Sequence, residues 1–244
     1  MSQLQTAQAN RKTTVNTINL TPKVCRDCIE EYVSQFPPNE PMYSTKVVEI
    51  LTNKYPIQKD QAKKIVNVNL KRLFDKNVIS RFQRGIYYKT TPTPFGNTRL
   101  NPHLVIRDLY IQKNGNILGY ETDASFLNRI GLTSQMPRYT YIATNVSNRG
   151  NERKEKLHVI LRKPPTEVTK ENYLYLQILD AIENKNQIAI DTDNAETIVL
   201  SHIRRCNLEM CKLVAFATQY YPKCVLQKLM EIAEVSNNSR DCSV

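Results

Sequence analysis

Lysine, arginine and amide side chains are concentrated between Ile57 and Lys89. This stretch is predicted to form one long helix followed by a tight two-stranded hairpin with Gln83, Arg84 and Gly85 at its tip. At 100° per residue, the helix has one apolar side and one polar side. The apolar side carries Ala62, Ile65, Val66, Asn69, Leu70 and Leu73. The polar side carries Asp60, Lys64, Asn67 and Lys71, flanked by Gln61 and Lys63.

These residue types suit contact with duplex nucleic acid. Lysine and arginine neutralise phosphates, whereas asparagine, glutamine and arginine form hydrogen bonds with base edges. Arg81 and Arg84 add positive charge beside the hairpin loop, where a wing meets the DNA backbone or minor groove. The alternative is an ordinary solvated face, but the helix and hairpin together favour DNA binding. The predicted phosphate contacts are Lys63, Lys64, Lys71, Arg81 and Arg84, and the predicted base contacts are Gln61, Lys64 or Asn67.

The cysteines offer weaker candidates for chemistry. Cys25 and Cys28 form a single CxxC motif with no second pair of ligands to complete a zinc site. His202, Cys206 and Cys211 have loose ligand spacing on apolar helices. Thiols in such positions are usually small core residues, so we expect free cysteines and no bound metal.

Catalytic motifs are not found in the sequence. It lacks the glycine-rich phosphate loops, the GxSxG elbow and the HExxH motif. Asp191 and Asp193 stand two residues apart and could hold a metal, but a polar loop before a helix explains them more simply. We therefore expect no enzyme activity and no cofactor.

Positive charge is divided unevenly along the chain. Residues 1–100 carry 16 Lys or Arg against 7 Asp or Glu, a net charge of +9. Residues 101–244 carry 18 against 16, a net charge of +2. This division indicates that the N-terminal part contacts a polyanion. The sequence shows no signal peptide and no membrane-spanning run, so we expect a cytoplasmic protein without a membrane partner.

The predicted fold is α+β, with an N-terminal winged helix-turn-helix. Residues 1–20 are expected to be a disordered arm, whose Arg11 and Lys12 are further candidates for DNA contact. Residues 21–90 have winged-helix order: a helix over 24–36, a short strand at Met42 and Tyr43, a second helix capped by Ser44 or Thr45, then the long helix and hairpin. Residues 91–102, rich in proline, are the predicted linker.

Residues 103–235 are predicted to form a mixed α/β domain with a helical C-terminal half. A first helix from Leu104 is expected to end at Asn114 and Gly115, although this pair can also turn a hairpin. A short strand over 117–120 leads to a helix starting at Thr122 or Asp123 and ending at Gly131. Strands over 139–144 and 157–161 flank a polar loop over 145–156. The predicted helices then cover 170–183, 195–203, 208–220 and 222–235, before a flexible tail over 236–244.

The stretch from Gly119 to Asn145 resembles the signature of the AbiEi-type antitoxin family, in its branch with an N-terminal winged helix. The GIYY run over 85–88 and the TPFG run over 93–96 match this branch as well. Asp123 stands where the family usually has glycine, and Ser134 where it often has threonine. The matching positions are Gly119, Tyr120, Thr122, Leu127, Asn128, Gly131, Leu132, Thr133, Gln135, Pro137 and Asn145.

The resemblance implies an antitoxin of a type IV toxin-antitoxin system that mediates abortive infection. It also implies a transcriptional repressor that binds the promoter DNA of its own operon. The second domain is expected to counteract a nucleotidyltransferase-like toxin without a tight complex. Tyr120, Asn128, Thr133 and Gln135 are the signature residues expected to serve this role, and the last three can equally tie a helix to the next strand.

Two other functions stay open at this point. The chain can be a free-standing, ligand-responsive winged-helix repressor, or, with less support, a nucleic-acid-processing enzyme. A homodimer or a cooperative assembly on DNA is compatible with either kind of repressor. The operator sequence, the identity of the toxin and any small ligand are not encoded in recognisable motifs.

Overall fold

The computed structural model describes residues 21–184, 188, 190–192 and 194–241, with the backbone alone over 235–241. The chain divides between Asn101 and Pro102 into two compact units. Helices and strands are both present and the C-terminal half is helical, which confirms the α+β class. Across the described ranges, no helix is long and apolar enough to cross a membrane. The arm expected over residues 1–20, with its Arg11 and Lys12, lies outside the described residues.

The first unit begins with helices and ends with short strands. In chain order its elements are α1 (Pro22–Gln35), β1 (Met42–Tyr43), α2 (Ser44–Lys54), α3 (Lys59–Asp75), β2 (Ser80–Gln83), β3 (Ile86–Tyr88), β4 (Pro92–Thr93) and β5 (Gly96–Asn97). β1, β3 and β2 form one antiparallel sheet in that order. The three helices and this sheet enclose a core that includes Cys25, Ile29, Val33, Met42, Val47, Leu51, Ala62, Val66, Leu70 and Tyr87.

The first two helices begin for different chemical reasons. The side chain of Thr21 accepts a hydrogen bond from the backbone N–H of Val24, and Pro22 occupies the first helical turn, so α1 begins there. The predicted capping of α2 by Ser44 or Thr45 is wrong, because Tyr43 is the capping residue and Ser44 is already helical. The backbone N–H of Ser44 instead donates to the carbonyl oxygen of Gly85 at 2.9 Å.

The segment over 91–102, predicted as a linker, contains ordered structure. β4 and β5 pair as a small hairpin. The backbone N–H of Thr91 donates to Thr98 Oγ1 at 2.8 Å, and that hydroxyl donates to the side-chain oxygen of Asn39. The backbone N–H of Asn39 also donates to the carbonyl oxygen of Lys89. The segment is therefore bonded to the first unit as far as Thr98.

The second unit is a small sheet followed by packed helices. Its elements are α4 (Pro102–Ile106), continued as a π-helix over Arg107–Ile111, then β6 (Gln112–Lys113), β7 (Asn116–Ile117), β8 (Gly119–Thr122), α5 (Asp123–Arg129), β9 (Thr140–Thr144), β10 (Glu152–Lys154), β11 (Val159–Arg162), α6 (Tyr173–Asn184), α7 (Ala195–Arg205), α8 (Met210–Tyr220) and α9 (Lys223–Asp241). The main sheet has the order β10-β11-β9-β8, with β11 and β9 parallel and the other pairs antiparallel. Helices α5 to α9 share one apolar core.

Three sequence predictions for this unit differ from the structure. Asn114 and Gly115 do not end a helix; they turn the β6–β7 hairpin, because both have left-handed φ values of 51° and 83°. β10 lies inside the predicted polar loop as an edge strand with charged side chains, whose sequence has no apolar alternation. Helix α9 continues to Asp241 through most of the predicted flexible tail, and residues 242–244 lie outside the described residues.

Gly119 is the most constrained glycine of the second unit. A Cβ atom on Gly119 would lie 2.4 Å from the carbonyl oxygen of Tyr110 and 2.5 Å from that of Ala143. Both neighbours are backbone atoms, which cannot move away without distorting the π-helix or β9. Only glycine allows β8 to lie between them.

We therefore expect Gly119→Ala to lower the free energy of unfolding of the second unit by about 1 to 3 kcal/mol or more, the cost of overpacking. Urea unfolding of the full chain, followed by circular dichroism, measures this change. The matched control is Gly150→Ala, because a Cβ atom at Gly150 meets no atom within 4 Å. Equal stability of the two variants would contradict the close backbone packing at Gly119.

Candidate nucleic-acid interface

Helix α3 is held in one rotational position by its buried side. Ala62, Val66 and Leu70 are fully buried at intervals of four residues. Since side chains four residues apart share a helix face, this apolar row fixes which side of α3 is turned outward. The outward side carries Gln61, Lys63, Lys64, Asn67 and Lys71, all of which are exposed. The sequence assigned these residues to this side correctly.

The β2–β3 hairpin is held beside the start of α2. Its two-residue turn consists of Arg84 and Gly85, and Gly85 has a left-handed φ of 81° that favours glycine. β3 pairs with β1, and the Gly85 carbonyl oxygen accepts the hydrogen bond from Ser44. Tyr87 is buried in the core and Tyr88 is half-buried. Arg84 is thereby placed at the tip of a hairpin anchored by backbone bonds.

A concavity of about 590 Å³ lies between α3 and this hairpin, and we call it the α3–hairpin concavity. Its lining residues are Ser44, Lys63, Asn67, Lys71, Phe74, Asp75, Arg81, Arg84, Gly85 and Tyr87. The structure thus brings together five of the seven predicted contact residues: Lys63, Asn67, Lys71, Arg81 and Arg84. Gln61 and Lys64 do not line it, but they are exposed on the same outward side of α3, nearer its N-terminus.

The cations of this surface have no partners of their own among the described residues. Within the described part of the chain, the side chains of Gln61, Lys63, Lys64, Asn67, Lys71, Arg81 and Arg84 form no hydrogen bond or ion pair. Asp75 is the one acidic residue in the lining.

Some other cations of the first unit, by contrast, are engaged. Arg72 binds Glu30 at 2.7 Å, Lys54 lies 3.8 Å from Glu31, and Lys89 donates to the carbonyl oxygen of Ser34. Unpaired cations on one concave surface attract an anionic partner, because Asp75, the acidic residue in the lining, forms no ion pair with them among the described residues.

Several residues of this surface were not predicted from the sequence. Ser44, Phe74 and Asp75 line the α3–hairpin concavity, and Val68 is exposed on the outward side of α3 with 68% of its surface accessible. The position of Val68 four residues after Lys64 was a signal available in the sequence. The role of Ser44 was not predictable, because it arises from a pairing with Gly85 that is distant in sequence.

The two free cysteines of the CxxC motif are part of the core. Cys25 and Cys28 are both buried, and burial, followed by the neighbouring Cys28, raises the pKa of the Cys25 thiol. These two residues pack as the small apolar residues expected from the sequence. Cys211 and Cys224 are exposed instead, and Cys242 lies outside the described residues.

His202 is a packed imidazole in the helical core. Its Nδ1 atom lies 2.7 Å from a guanidinium nitrogen of Arg205, and its Nε2 atom lies 3.5 Å from Cys206 Sγ. The ring meets Phe126 edge to face. Burial, then the charges of Arg205 and Arg129, lower the pKa of His202 and so favour the neutral ring. Among the described residues, no three His, Cys, Asp or Glu side chains are grouped as metal ligands.

Asp191 closes a loop. Its Oδ2 atom accepts a hydrogen bond from the backbone N–H of Ser134 at 2.5 Å, and the pKa of Asp191 is lowered by its hydrogen bonds with Ser134. The bond joins the segment after α5 to the segment before α7. Asp193, the other carboxylate considered for metal binding, lies outside the described residues.

The signature residues of the second unit are mostly engaged in internal bonds. Asn128 Nδ2 donates to the carbonyl oxygen of Thr133 at 3.0 Å, and Thr133 Oγ1 accepts from the backbone N–H of Gln135 at 3.2 Å. The Asn145 side chain bonds both backbone groups of Val168 at 2.8 Å. The side chain of Gln135 is exposed. Asn128 and Thr133 therefore shape the loop, whereas Gln135 is accessible to a partner.

Tyr120, the remaining signature residue, binds a buried carboxylate. Its hydroxyl donates to Asp180 Oδ2 at 3.0 Å, Thr122 Oγ1 donates to the same oxygen at 3.1 Å, and the Tyr221 hydroxyl donates to Oδ1 at 2.5 Å. Burial raises the pKa of Asp180 to about 6, although the three hydroxyl donors oppose the shift. Burial, followed by the nearby Asp180, also raises the pKa values of Tyr120 and Tyr221.

A second buried carboxylate starts α5. Asp123 has a left-handed φ of 56°, a conformation that favours glycine and is otherwise commonest for Asn, Asp and His. Its carboxylate binds Arg162 at 2.8 Å and accepts from Asn184 Nδ2 at 2.6 Å. Burial raises the pKa of Asp123, Arg162 opposes this, and Glu183 adds to it. Asp123 and Asp180 thus join β8 and α5 to α6 through bonds that a glycine or an apolar residue cannot make.

No protein-family model matches this sequence, and no curated protein sequence matches it.

The buried Asp180 carboxylate predicts a pH dependence of stability. The pKa of about 6 in the folded state exceeds the ordinary 3.8, so the folded protein holds this proton more tightly than the unfolded chain. The free energy of unfolding contributed by Asp180 is therefore highest below about pH 4, falls as the pH rises to about 6, and stays low above that.

We expect Asp180→Asn, which cannot ionise, to remove this slope between pH 4 and 6. Urea unfolding at closely spaced pH values measures the slope. Asp191→Asn is the control, because the pKa of Asp191 is lowered and its contribution is lost only at more acidic pH. A slope that persists in Asp180→Asn would assign the titration to another group.

Proposed function

We propose that the chain is a DNA-binding transcriptional regulator whose first unit is a winged helix-turn-helix. In this proposal, α3 is the recognition helix and the β2–β3 hairpin is the wing. The observation that carries the proposal is that unpaired cations from both elements line one surface, the α3–hairpin concavity. The order helix, short strand, helix, helix and hairpin, with the sheet order β1-β3-β2, supports it.

The proposed contacts follow from the chemistry of the two elements. An α-helix fits the major groove of B-form DNA, where amide side chains can pair with base edges. Gln61, Lys64 and Asn67 are exposed on the outward side of α3 and are the proposed base contacts. Lys63, Lys71, Arg81 and Arg84 are the proposed phosphate contacts, together with Lys64. The net charge of +9 over residues 1–100 favours association with a polyanion.

We also propose that the second unit has the antitoxin role implied by the AbiEi resemblance. The chain would then repress its own promoter and counteract a nucleotidyltransferase-like toxin, without being an enzyme itself. The support is the signature over 119–145 and the accessibility of Gln135 and Met136 in a loop that Thr133 and Asn128 brace. A free-standing, ligand-responsive repressor is the alternative, and it requires no toxin.

Removal of single cations from the α3–hairpin concavity tests the DNA proposal. We expect Lys71→Ala and Arg84→Ala each to weaken binding to a duplex of the chain's own promoter. Each lost phosphate contact should reduce the slope of log K against log salt concentration by about 0.9. Asn67→Ala should instead relax sequence preference, by about 1 to 3 kcal/mol for a base contact. Fluorescence anisotropy over a salt series measures both effects.

Lys54→Ala is the matched control for these variants. Lys54 is at the opposite end of α2 from Ser44, about 15 Å along the helix axis at 1.5 Å per residue. Its removal eliminates the same charge outside the α3–hairpin concavity and should leave the salt slope unchanged. If Lys71→Ala and Arg84→Ala bind with wild-type affinity at physiological salt, α3 and the hairpin do not form the interface.

The antitoxin proposal predicts that repression and protection are lost through different substitutions in the full chain. Cells that express the nucleotidyltransferase-like toxin that this proposal requires should be protected by Lys71→Ala and Arg84→Ala, even though repression is lost. Gln135→Ala should retain repression and lose protection, because the backbone bond from Gln135 to Thr133 does not need its side chain. Gln112→Ala, at another exposed glutamine, is the control for both readouts.

Survival counts and a promoter reporter measure the two activities. Loss of protection in the Lys71→Ala and Arg84→Ala variants would mean that protection requires DNA binding. A chain that represses but protects against no neighbouring toxin would instead be a free-standing regulator.

A further inference from the structure

An apolar side chain interrupts the polar outward side of α3. Val68 has 68% of its surface exposed and is absent from the apolar core that the described residues of the first unit form. A β-branched residue is also less favourable than alanine at an exposed helix position. Val68 therefore stabilises neither the helix nor the core of the isolated protein to any useful extent.

Val68 points in nearly the same direction as two of the three proposed base contacts, Lys64 and Gln61. At 100° per residue, its direction differs from that of Lys64 by about 40° and from that of Gln61 by about 20°. Asn67 is its immediate neighbour, and Lys71 follows one turn later. The opposite side of the helix is the fully buried row of Ala62, Val66 and Leu70, so Val68 lies close to the middle of the outward side.

The surroundings of Val68 select the kind of partner. Lys64, Asn67 and Lys71 are exposed and have no hydrogen-bond or ion-pair partner among the described residues. An apolar protein partner that covered Val68 would also bury these unpaired lysines, which is costly. A DNA major groove provides phosphates for the lysines and one apolar group on its floor, the C5-methyl group of thymine.

We propose that Val68 is a specificity-determining residue that contacts the C5-methyl group of a thymine in the operator. This proposal rests on the proposed function, because it requires that α3 enter the major groove. Val68 then distinguishes thymine from cytosine, which has no methyl group at this position. The side chain of valine cannot form hydrogen bonds. Val68 therefore selects the sequence only through its apolar contact with the methyl group.

The test uses the full chain and the best-binding duplex selected from a randomised DNA library. Each thymine in turn is replaced by deoxyuridine, which keeps the base pair and removes only the methyl group. For each bound chain, one thymine should contact Val68. We expect deoxyuridine at that position to weaken binding of the wild-type chain about fourfold, because one buried carbon group is lost. Val68→Ala should bind the thymine duplex more weakly and show no difference between thymine and deoxyuridine there.

Two further variants separate the contact from general effects. Val68→Ile keeps a branched apolar side chain and should keep the preference for thymine. Val78→Ala removes another exposed valine, which lies outside α3, and should behave as wild type. Circular dichroism confirms that Val68→Ala is folded, as expected because alanine favours an exposed helix position.

The outcomes distinguish the proposal from the function on which it rests. If the chain binds a selected duplex but no thymine is sensitive to deoxyuridine, or Val68→Ala keeps the sensitivity, the thymine contact is refuted and DNA binding stands. If Val68→Ala changes the sedimentation coefficient and leaves the thymine preference intact, Val68 contacts protein and the proposal is again refuted. If no duplex is selected, DNA binding and the thymine contact fail together.

Discussion

Burial of one side of α3 is the constraint on which the first unit depends. Ala62, Val66 and Leu70 have no accessible surface, and a helix with such a row has only one rotational position that keeps these side chains from water. Every outward side chain of α3 is placed by that burial. The charged side of the helix contributes little to its own stability, since its exposed lysines and amides have no hydrogen-bond or ion-pair partner among the described residues. Apolar packing therefore determines the geometry of a surface made almost wholly of polar groups.

Local periodicity was sufficient to predict α3 and its two sides, because a helix of 17 residues repeats its pattern several times. Short elements gave no such repetition. β10 consists of Glu152, Arg153 and Lys154, and its strand conformation comes from pairing with β11. The α3–hairpin concavity was predictable as a set of residues, but its lining by Ser44 was not. That contact depends on where the chain places Gly85, 41 positions further along the sequence.

In the second unit, the sequence pattern identified important positions without revealing their physical roles. Four of these positions have structural roles. Gly119 allows a close backbone approach, and Tyr120 binds Asp180. Asn128 and Asn145 form hydrogen bonds that brace loops. Asp180 itself was not singled out from the sequence, because an acidic residue in an amphipathic helix gives no sign of burial. Its three hydroxyl donors come from β8 and from the turn after α8, and they meet only in the folded unit.

The pairing of β1 with β3 has a consequence for the order of events during synthesis. Met42 pairs with Tyr87 and Tyr43 pairs with Ile86, so the sheet beside α2 cannot form until the chain has been extended past residue 88. Domains generally fold as units, from the N-terminus first, while the ribosome is still adding residues. All the residues that pair in this sheet precede Pro102, where the second unit begins. A nascent chain can therefore complete its cationic surface before most of the second unit has been translated.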